Sequence, residues 1–257
     1  MSEKTHDFNS LTKDFINLGI KQSDNVLIHS SMKSIGEVDG GADTVLDVFC
    51  AYLATNGNIA LPSHSWDAIK LGGKHVIFDP EKEPSCVGIL TEMFRKRKNA
   101  LRSLHPTHSI AVMGKDAGYF VSGEHLIDTP CGRNGCWGKI LDMGFKIIFL
   151  GCDTKSNTFL HGVEEWLNVP GRMTDGHQDL KIIMPDGTVF DRPMRRHSDK
   201  YGGVSERYDR IMPYIEEKNL AVKGKFGGAD CIVLKARDIY EVTAALLEKN
   251  IDFFGGE

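Results

Sequence analysis

Short apolar runs alternate with segments whose apolar residues recur every three or four positions along most of the chain. The short runs indicate buried strands, whereas the longer spacing predicts helices with one buried face. The predicted strands cover 25–28, 58–61, 109–113 and 146–150, with a hairpin at 181–184 and 188–190 and a two-stranded ribbon within 220–235. The predicted helices cover 9–19, 44–53, 87–98, 136–143, 158–167, 205–218 and 239–249.

This order of elements predicts an α/β fold, because strands that alternate with helices build a sheet covered by helices. Pro185-Asp186-Gly187 is a turn signal, and the hairpin and the ribbon both require antiparallel pairing. We therefore expect a single layered domain with a mixed central sheet flanked by helices and an antiparallel hairpin and ribbon in the C-terminal third. No Pro/Ser-rich linker, charge block or long repeat divides the chain, so the domain should span 1–257.

The charge balance narrows the choice of partners. Lys and Arg number 31 and Asp and Glu 35, which gives a net charge of −4. Nucleic acid is not an expected partner, because binding phosphates requires concentrated positive charge. No apolar stretch approaches the roughly 20 residues of a membrane helix, and the N-terminus lacks the apolar centre of a signal peptide. We expect a cytoplasmic protein without a membrane partner, and a homodimer is compatible with the sequence.

The six cysteines are scattered and include no Cys-x-x-Cys pair. Zinc-type spacing is therefore absent, and a chain of this length without a secretory signal is not expected to carry a disulfide framework. We interpret these residues as free thiols.

Polar residues follow the predicted strands at their carboxyl ends. His29 comes directly after the first strand, His64 and Asp67 follow the second, and Asp153 follows the strand at 146–150. In open α/β sheets this edge is where ligands bind. Each residue alone is typical of a cap or turn, but their recurrence predicts a functional site there.

The sharpest local feature is His161-Gly-Val-Glu164-Glu165. Residues three and four positions apart share a helix face, so a carboxylate can lie near His161. Such a carboxylate can fix the imidazole tautomer, as a general base requires. A surface His–Glu pair would show the same spacing. The pattern is also half of a metal site, but further ligands at fixed spacing are missing, and we predict no metal.

Two glycine-bearing segments have the character of ligand-binding loops. Residues 30–36 offer hydroxyl groups directly after a strand, and residues 130–138 have regularly spaced glycines that lead into a helix. Such backbone can approach phosphate, although each segment alone is also typical of a turn.

Taken in order, these segments resemble the aminoglycoside 3-N-acetyltransferase family, the antibiotic N-acetyltransferases that do not have the GNAT fold. The matching segments are VLIHSSM at 26–32, LPSHSWD at 61–67, RSLHPTHS at 102–109, TPCG at 129–132, KIIFLG at 146–151 and TFLHGVE at 158–164. The resemblance runs from about residue 18 to 170. The chain is compact, and Pro62-Ser63 replaces a more usual Pro-Thr, so the drug spectrum stays open.

The resemblance implies acetyl transfer from acetyl-CoA to the 3-amino group of aminoglycosides or a related polyamine, giving resistance. His161 and Glu164 would form the catalytic pair, with His29 in the same pocket. Acetyl-CoA would bind Ser30, Ser31, Met32, Lys33, Ser34, Arg102, Ser103, His105 and Ser109. Residues available to the polycationic substrate are His64, Trp66, Asp67, Asp153, Glu165 and Asp199.

Physical chemistry agrees with this assignment. A substrate amine is mostly ammonium at pH 7, and imidazole, with an unperturbed pKa of about 6.5, is suited to remove its proton. Two rival hypotheses remain open: a metal-dependent hydrolase that uses His29, His64, His161 and Glu164, and a non-catalytic regulator that binds CoA or a nucleotide. Sensitivity to a chelator favours the first, and absence of turnover favours the second.

Overall fold

The structure is a computed structural model that describes residues 5–198, 200 and 203–255. Each apolar run identified in the sequence is a strand in it. The strands of the central sheet are β1 (Asn25–Ser30), β2 (Asn58–Pro62), β4 (Leu101–Arg102), β5 (Ile110–Gly114), β6 (Lys146–Leu150), β9 (Val222–Phe226) and β10 (Ala229–Lys235). Outside that sheet lie β3 (Ile77–Phe78), β7 (Lys181–Ile183) and β8 (Val189–Asp191).

The central sheet has the order β4-β5-β2-β1-β6-β10-β9. Strand β1 runs parallel to β2 and β6 at the centre, whereas β5 and β10 pair antiparallel on either side. The sheet is therefore mixed, as the sequence predicts. The predicted ribbon is confirmed as β9 and β10, which extend the sheet beyond β6.

Helices cover both faces of the sheet. They are α1 (Phe8–Asn17), α2 (Met32–Ile35), α3 (Gly41–Leu53), α4 (Ile89–Arg95), α5 (Ala117–Val121), α6 (Cys136–Asp142), α7 (Thr158–Trp166), α8 (Met212–Glu217) and α9 (Ala236–Lys249). Val26 and Ile28 pack with α1, α3 and α4, whereas Leu27 packs with α6, α7 and α9. Because both faces are covered, the central strands are continuously apolar instead of alternating.

The predicted hairpin is confirmed as β7 and β8, but it does not join the central sheet. It forms a separate three-stranded sheet with β3, in the order β3-β7-β8. Phe78, Leu180, Ile182 and Met194 form a small core of their own beneath it. Strand β3 has two residues, which is too short for a periodic pattern to reveal.

The helix predicted at 205–218 is divided in the structure. Residues Val204–Ile211 form a 3₁₀ helix, and α8 follows with Pro213 in its first turn. Proline has no N–H to donate within a continuous α-helix but is tolerated where a helix begins, which explains the division. Within the described residues, no helix has the length and apolar character that crossing a membrane requires.

Candidate active site

One edge of the central sheet gathers the polar strand-end residues. The carboxyl ends of the parallel strands β1, β2 and β6 lie at this edge, and the antiparallel β5 begins there. The edge therefore receives His29 from β1, His64 from the segment after β2 and His108 from the segment before β5. Helix α7 follows β6 and brings His161 in its first turn. These side chains line a cleft of about 500 Å³, hereafter the strand-end cleft.

Four imidazole rings form a continuous series in the cleft. The centroid of the His161 ring lies 4.2 Å from that of His197, at an interplanar angle of 24°. His197 lies 4.8 Å from His108, which lies 4.8 Å from His64. The sequence predicts His161 and His64 as site residues but not the two histidines between them. His108 is part of the segment 102–109, whereas His197 follows β8 and has no local pattern that marks it.

Burial keeps these imidazoles neutral. Desolvation lowers the pKa of His29 and of His161 to about 3. It also lowers the pKa of His64, His108 and His197 well below the ordinary value of 6.5, and neighbouring histidines contribute in each case. A neutral imidazole has one nitrogen with a lone pair and one N–H, so each ring can accept one proton and donate one hydrogen bond. The rings are therefore unprotonated at neutral pH, which is the form that can accept a proton.

His161 is connected to Glu164 through Tyr208. The Tyr208 Oη atom lies 2.7 Å from His161 Nδ1 and donates to Glu164 Oε2, also at 2.7 Å. The other carboxylate oxygen accepts from Arg172 Nε at 2.6 Å, and Arg172 also donates to Asp252. The expectation that Glu164 itself orients His161 is therefore corrected: helical spacing brings the two residues close, but the tyrosine hydroxyl lies between them.

This chain of contacts determines the tautomer of His161. Burial raises the pKa of Glu164, but its contact with the Arg172 guanidinium favours the ionised form, which only accepts hydrogen bonds. Tyr208 must then donate its single proton to Glu164, and its oxygen must accept from His161 Nδ1–H. The lone pair of His161 is left on Nε2, which has no hydrogen-bond partner in the part of the chain that the structure describes. His161 lines the cleft and is thus arranged as a general base.

Tyr208→Phe tests this connection. We expect a 10- to 100-fold loss of kcat, because Nδ1–H loses its acceptor and the tautomer is no longer fixed. The free energy of unfolding should fall by about 1–3 kcal/mol, since one oxygen of Glu164 loses its donor. Steady-state kinetics and urea unfolding measure the two effects.

Glu164→Gln is the matched comparison. It replaces one of the two carboxylate partners of Arg172 by a neutral amide and should lower the free energy of unfolding by about 1–3 kcal/mol, because Asp252 still pairs with the guanidinium. Its effect on kcat should stay smaller than that of losing the His161 ring. Full activity in Tyr208→Phe combined with low activity in Glu164→Gln would show that Glu164 acts without Tyr208.

The two segments predicted to bind acetyl-CoA differ in position. Ser30 lines the strand-end cleft, and Ser31, Met32, Lys33 and Ser34 follow it into the short helix α2. The Ser34 hydroxyl donates to the Gly151 carbonyl at 2.9 Å, which holds α2 beside the end of β6. This first segment is therefore at the cleft.

The second segment is a buried structural network, which corrects the expectation for Arg102, Ser103, His105 and Ser109. Arg102 donates to Ser109 Oγ at 3.0 Å, to the Ser63 carbonyl at 2.7 Å and to two further backbone carbonyls. Ser103 and His105 have no exposed surface. The His105 ring accepts from two backbone N–H groups and donates to the Thr129 carbonyl. A phosphate would have to displace these backbone contacts.

Of the residues predicted to bind the amine substrate, some lie at the strand-end cleft and others do not. His64 and Trp66 line the cleft, and the exposed Asp67 and Asp153 lie next in sequence to the lining residues Trp66 and Cys152. Glu165 is not in this cleft: it accepts from Thr129 Oγ1 and from Cys131 N, and it borders a neighbouring cavity. Asp199 lies outside the described residues.

A mixed sheet with neutral imidazole rings at its strand ends is an arrangement that can support acid–base chemistry. Comparison with protein families identifies the class of enzyme. The model of the aminoglycoside 3-N-acetyltransferase family matches residues 27–248. The chain therefore belongs to this family and is an acyltransferase, as the resemblance in the sequence predicts.

Similar proteins cover nearly the whole chain. Aminoglycoside N(3)-acetyltransferase VII of Streptomyces paromomycinus is 26% identical, over 94% of this chain and 91% of the relative. The aminoglycoside N(3')-acetyltransferase-like protein YokD of Bacillus subtilis is 28% identical over 86% of this chain and 85% of its own length. Aminoglycoside acetyltransferase AAC(3)-IVa, as a mutant in complex with a gentamicin, is similar in structure with a TM-score of 0.85, at 23% identity over 100% of this chain and 94% of that one. AAC-IIIb with CoASH gives 0.83 at 21% identity, over 96% and 97%.

Proposed function

We propose that this enzyme transfers the acetyl group of acetyl-CoA to the 3-amino group of an aminoglycoside, with His161 as the general base, and so gives resistance. The observation that carries the proposal is the series Arg172–Glu164–Tyr208–His161, which leaves a lone pair on His161 Nε2 at the strand-end cleft. Family membership and the relatives described with CoASH and gentamicin support the choice of both substrates.

The reaction needs a base that is unprotonated at neutral pH. The ammonium group first gives one proton to solvent. The amine then loses a second proton to His161 Nε2 as its nitrogen forms a bond to the thioester carbonyl carbon. The carbonyl π electrons move to oxygen and then return as the C–S bond breaks, releasing CoA thiolate. The proton on His161 is then available to the departing sulfur or to solvent. A base of this kind contributes typically 10²–10⁴-fold, and positioning of the two substrates supplies much of the remainder.

The cleft has unused hydrogen-bonding capacity that fits an acyl donor. His29 Nε2, His64 Nε2 and His197 Nε2 are buried without a partner among the described residues. We place acetyl-CoA along residues 30–34, where Ser30 lines the cleft and Lys33 is exposed on α2. His29 stacks on Phe149 with ring centroids 5.4 Å apart, and this contact holds its ring beside the cleft.

We assign Asp67 and Asp153 to the cationic groups of the aminoglycoside. Changing both residues to Asn should raise KM for the aminoglycoside about 2- to 30-fold, because each exposed ion pair contributes about 0.2–1 kcal/mol. KM for acetyl-CoA should not change. Asn at 153 keeps the cap of the 3₁₀ helix that follows, since its side chain also accepts hydrogen bonds.

The control for this variant changes two exposed carboxylates elsewhere, Asp39→Asn with Glu217→Gln, and produces the same change in net charge. The KM effect should weaken as salt is added, as expected for exposed charges. An equal rise in KM in both double variants would assign the effect to net charge instead of to Asp67 and Asp153.

The proposed function is tested by the release of CoA thiol in the presence of acetyl-CoA and a panel of aminoglycosides with and without a free 3-amino group. Thiol background from the exposed Cys86 is subtracted with an enzyme blank. Turnover should require the 3-amino group and should persist in a chelator. Activity lost to the chelator would support the hydrolase hypothesis, and absence of turnover with every amine would support the regulator.

A further inference from the structure

His64 has a fixed tautomer. Its Nδ1 atom lies 3.3 Å from Trp66 Nε1, and an indole nitrogen can only donate a hydrogen bond. His64 Nδ1 must therefore be the acceptor. Burial, with smaller contributions from nearby charges, lowers the pKa of His64 well below 6.5, so the ring is neutral and its one proton is on Nε2.

This Nε2–H group has no hydrogen-bond partner among the described residues, although His64 is only 3% exposed. A buried donor without a partner is unfavourable, because it has lost its hydrogen bonds to water. The side chain also lines the strand-end cleft that holds His161. A donor that is buried, neutral and fixed in direction is suited to an acceptor atom that enters the cleft with a ligand.

We propose that His64 is a catalytic residue whose Nε2–H donates to the carbonyl oxygen of the acetyl thioester. This inference rests on the proposed function. As the amine nitrogen bonds to the carbonyl carbon, the π electrons move to this oxygen, and the hydrogen bond strengthens as negative charge develops. When the C–S bond breaks, the electrons return and the hydrogen bond weakens. A prearranged donor in a dry site therefore stabilises the transition state more than the ground state.

His29 and His197 are weaker candidates for this role. Each also has a buried Nε2 without a partner. Neither forms a side-chain hydrogen bond through its other ring nitrogen within the described residues, so the structure does not determine which nitrogen carries the proton. Trp66 removes that ambiguity for His64 alone.

The kinetic test compares His64→Ala with His64→Gln. His64→Ala should lower kcat about 10²–10³-fold, the usual effect of removing one donor to a developing oxyanion. The affinity for acetyl-CoA should change little. His64→Gln offers an amide N–H and should recover at least tenfold of the lost kcat.

A spectroscopic measurement separates this role from a structural one. Isotope-edited infrared spectra of acetyl-CoA labelled with ¹³C at the carbonyl report its hydrogen bonding when bound. The carbonyl frequency should be lower on the wild-type enzyme than in solution, and the shift should be lost in His64→Ala and partly kept in His64→Gln. An equal carbonyl frequency in wild type and His64→Ala, with acetyl-CoA bound to both, would overturn the proposal.

Trp66→Phe keeps His64 in place and provides a second test if His64→Ala does not fold. It removes the donor to Nδ1, so part of the enzyme should adopt the other tautomer, with a smaller infrared shift and a several-fold lower kcat. An unchanged shift and kcat would contradict the assigned tautomer.

Failure of the proposed function gives a different result, since the wild-type enzyme would then show no acetyl transfer to any amine.

Discussion

His161→Ala is expected to lower kcat by about 10²–10⁴-fold while acetyl-CoA binding stays close to that of the wild type. The reason is local: the variant loses the nitrogen lone pair that Tyr208 and Glu164 orient at the cleft, and the contacts of residues 30–34 are untouched. Since the ring lines the open strand-end cleft and lies outside the apolar core, the melting temperature should change by less than about 4 °C.

Thiol release under saturating substrates measures the effect on kcat, and calorimetric titration measures acetyl-CoA affinity. His177→Ala, which removes an exposed histidine, is the control and should retain full activity. More than about a tenth of wild-type kcat in His161→Ala would exclude His161 as the base.

Much of the fold could be predicted because its central strands are buried on both faces. Such strands are continuous apolar runs, and runs of this kind are visible in the sequence without knowledge of the partner strands. The small sheet was less accessible to prediction. Its strand β3 is two residues long and pairs with β7 across about a hundred residues, so no local pattern reveals it.

In the candidate site, too, only the residues that have a local sequence pattern could be predicted. His29, His64 and His161 were found because each lies at the end of a strand or in a local His–Glu pattern. Tyr208 was not, because its contact with His161 joins residues 47 positions apart. His197 likewise contacts His161 only through the tertiary fold. A contact between distant segments leaves no spacing to read in the sequence.

Arg102 is the converse case: the sequence predicts it as a ligand-binding residue, but its contacts in the structure are with the protein itself. A cation beside serines and histidines is a reasonable phosphate ligand, and the sequence offers no reason to reject it. In the structure the guanidinium joins three backbone carbonyls from two loops and packs over Phe78 at 4.9 Å. Both uses require the same residue types, so only the position of the side chain distinguishes them.

The histidines whose pKa is lowered in the fold should also make the protein unstable in acid. In the unfolded chain they take up protons near pH 6.5, whereas in the native state the pKa of His29 and His161 is about 3 and that of His105 about 4. The unfolded state therefore binds more protons below pH 6.5, and stability must fall as the pH falls. The histidines with lowered pKa are His29, His64, His105, His108, His161 and His197.

Buried carboxyl groups act in the opposite direction. Burial raises the pKa of Glu124, Glu164 and Glu165, so the native state takes up protons there before the unfolded chain does. Three such groups oppose six histidines, and the histidines should dominate between pH 6.5 and 5. We expect the free energy of unfolding to fall by several kcal/mol per pH unit in this window and to be nearly constant from pH 7 to 8.

Urea unfolding at a series of pH values measures this slope, which equals the difference in bound protons between the two states. His105→Gln should reduce the slope by about one proton, because the histidine it replaces is neutral in the native state and charged in the acid-unfolded chain. His177→Gln, at an exposed position, controls for the loss of a histidine as such. A free energy of unfolding that stays constant from pH 7 to 5 would mean that these imidazoles take up protons in the folded protein. His161 would then be partly protonated in weak acid, and kcat should decline with it instead of with the loss of the fold.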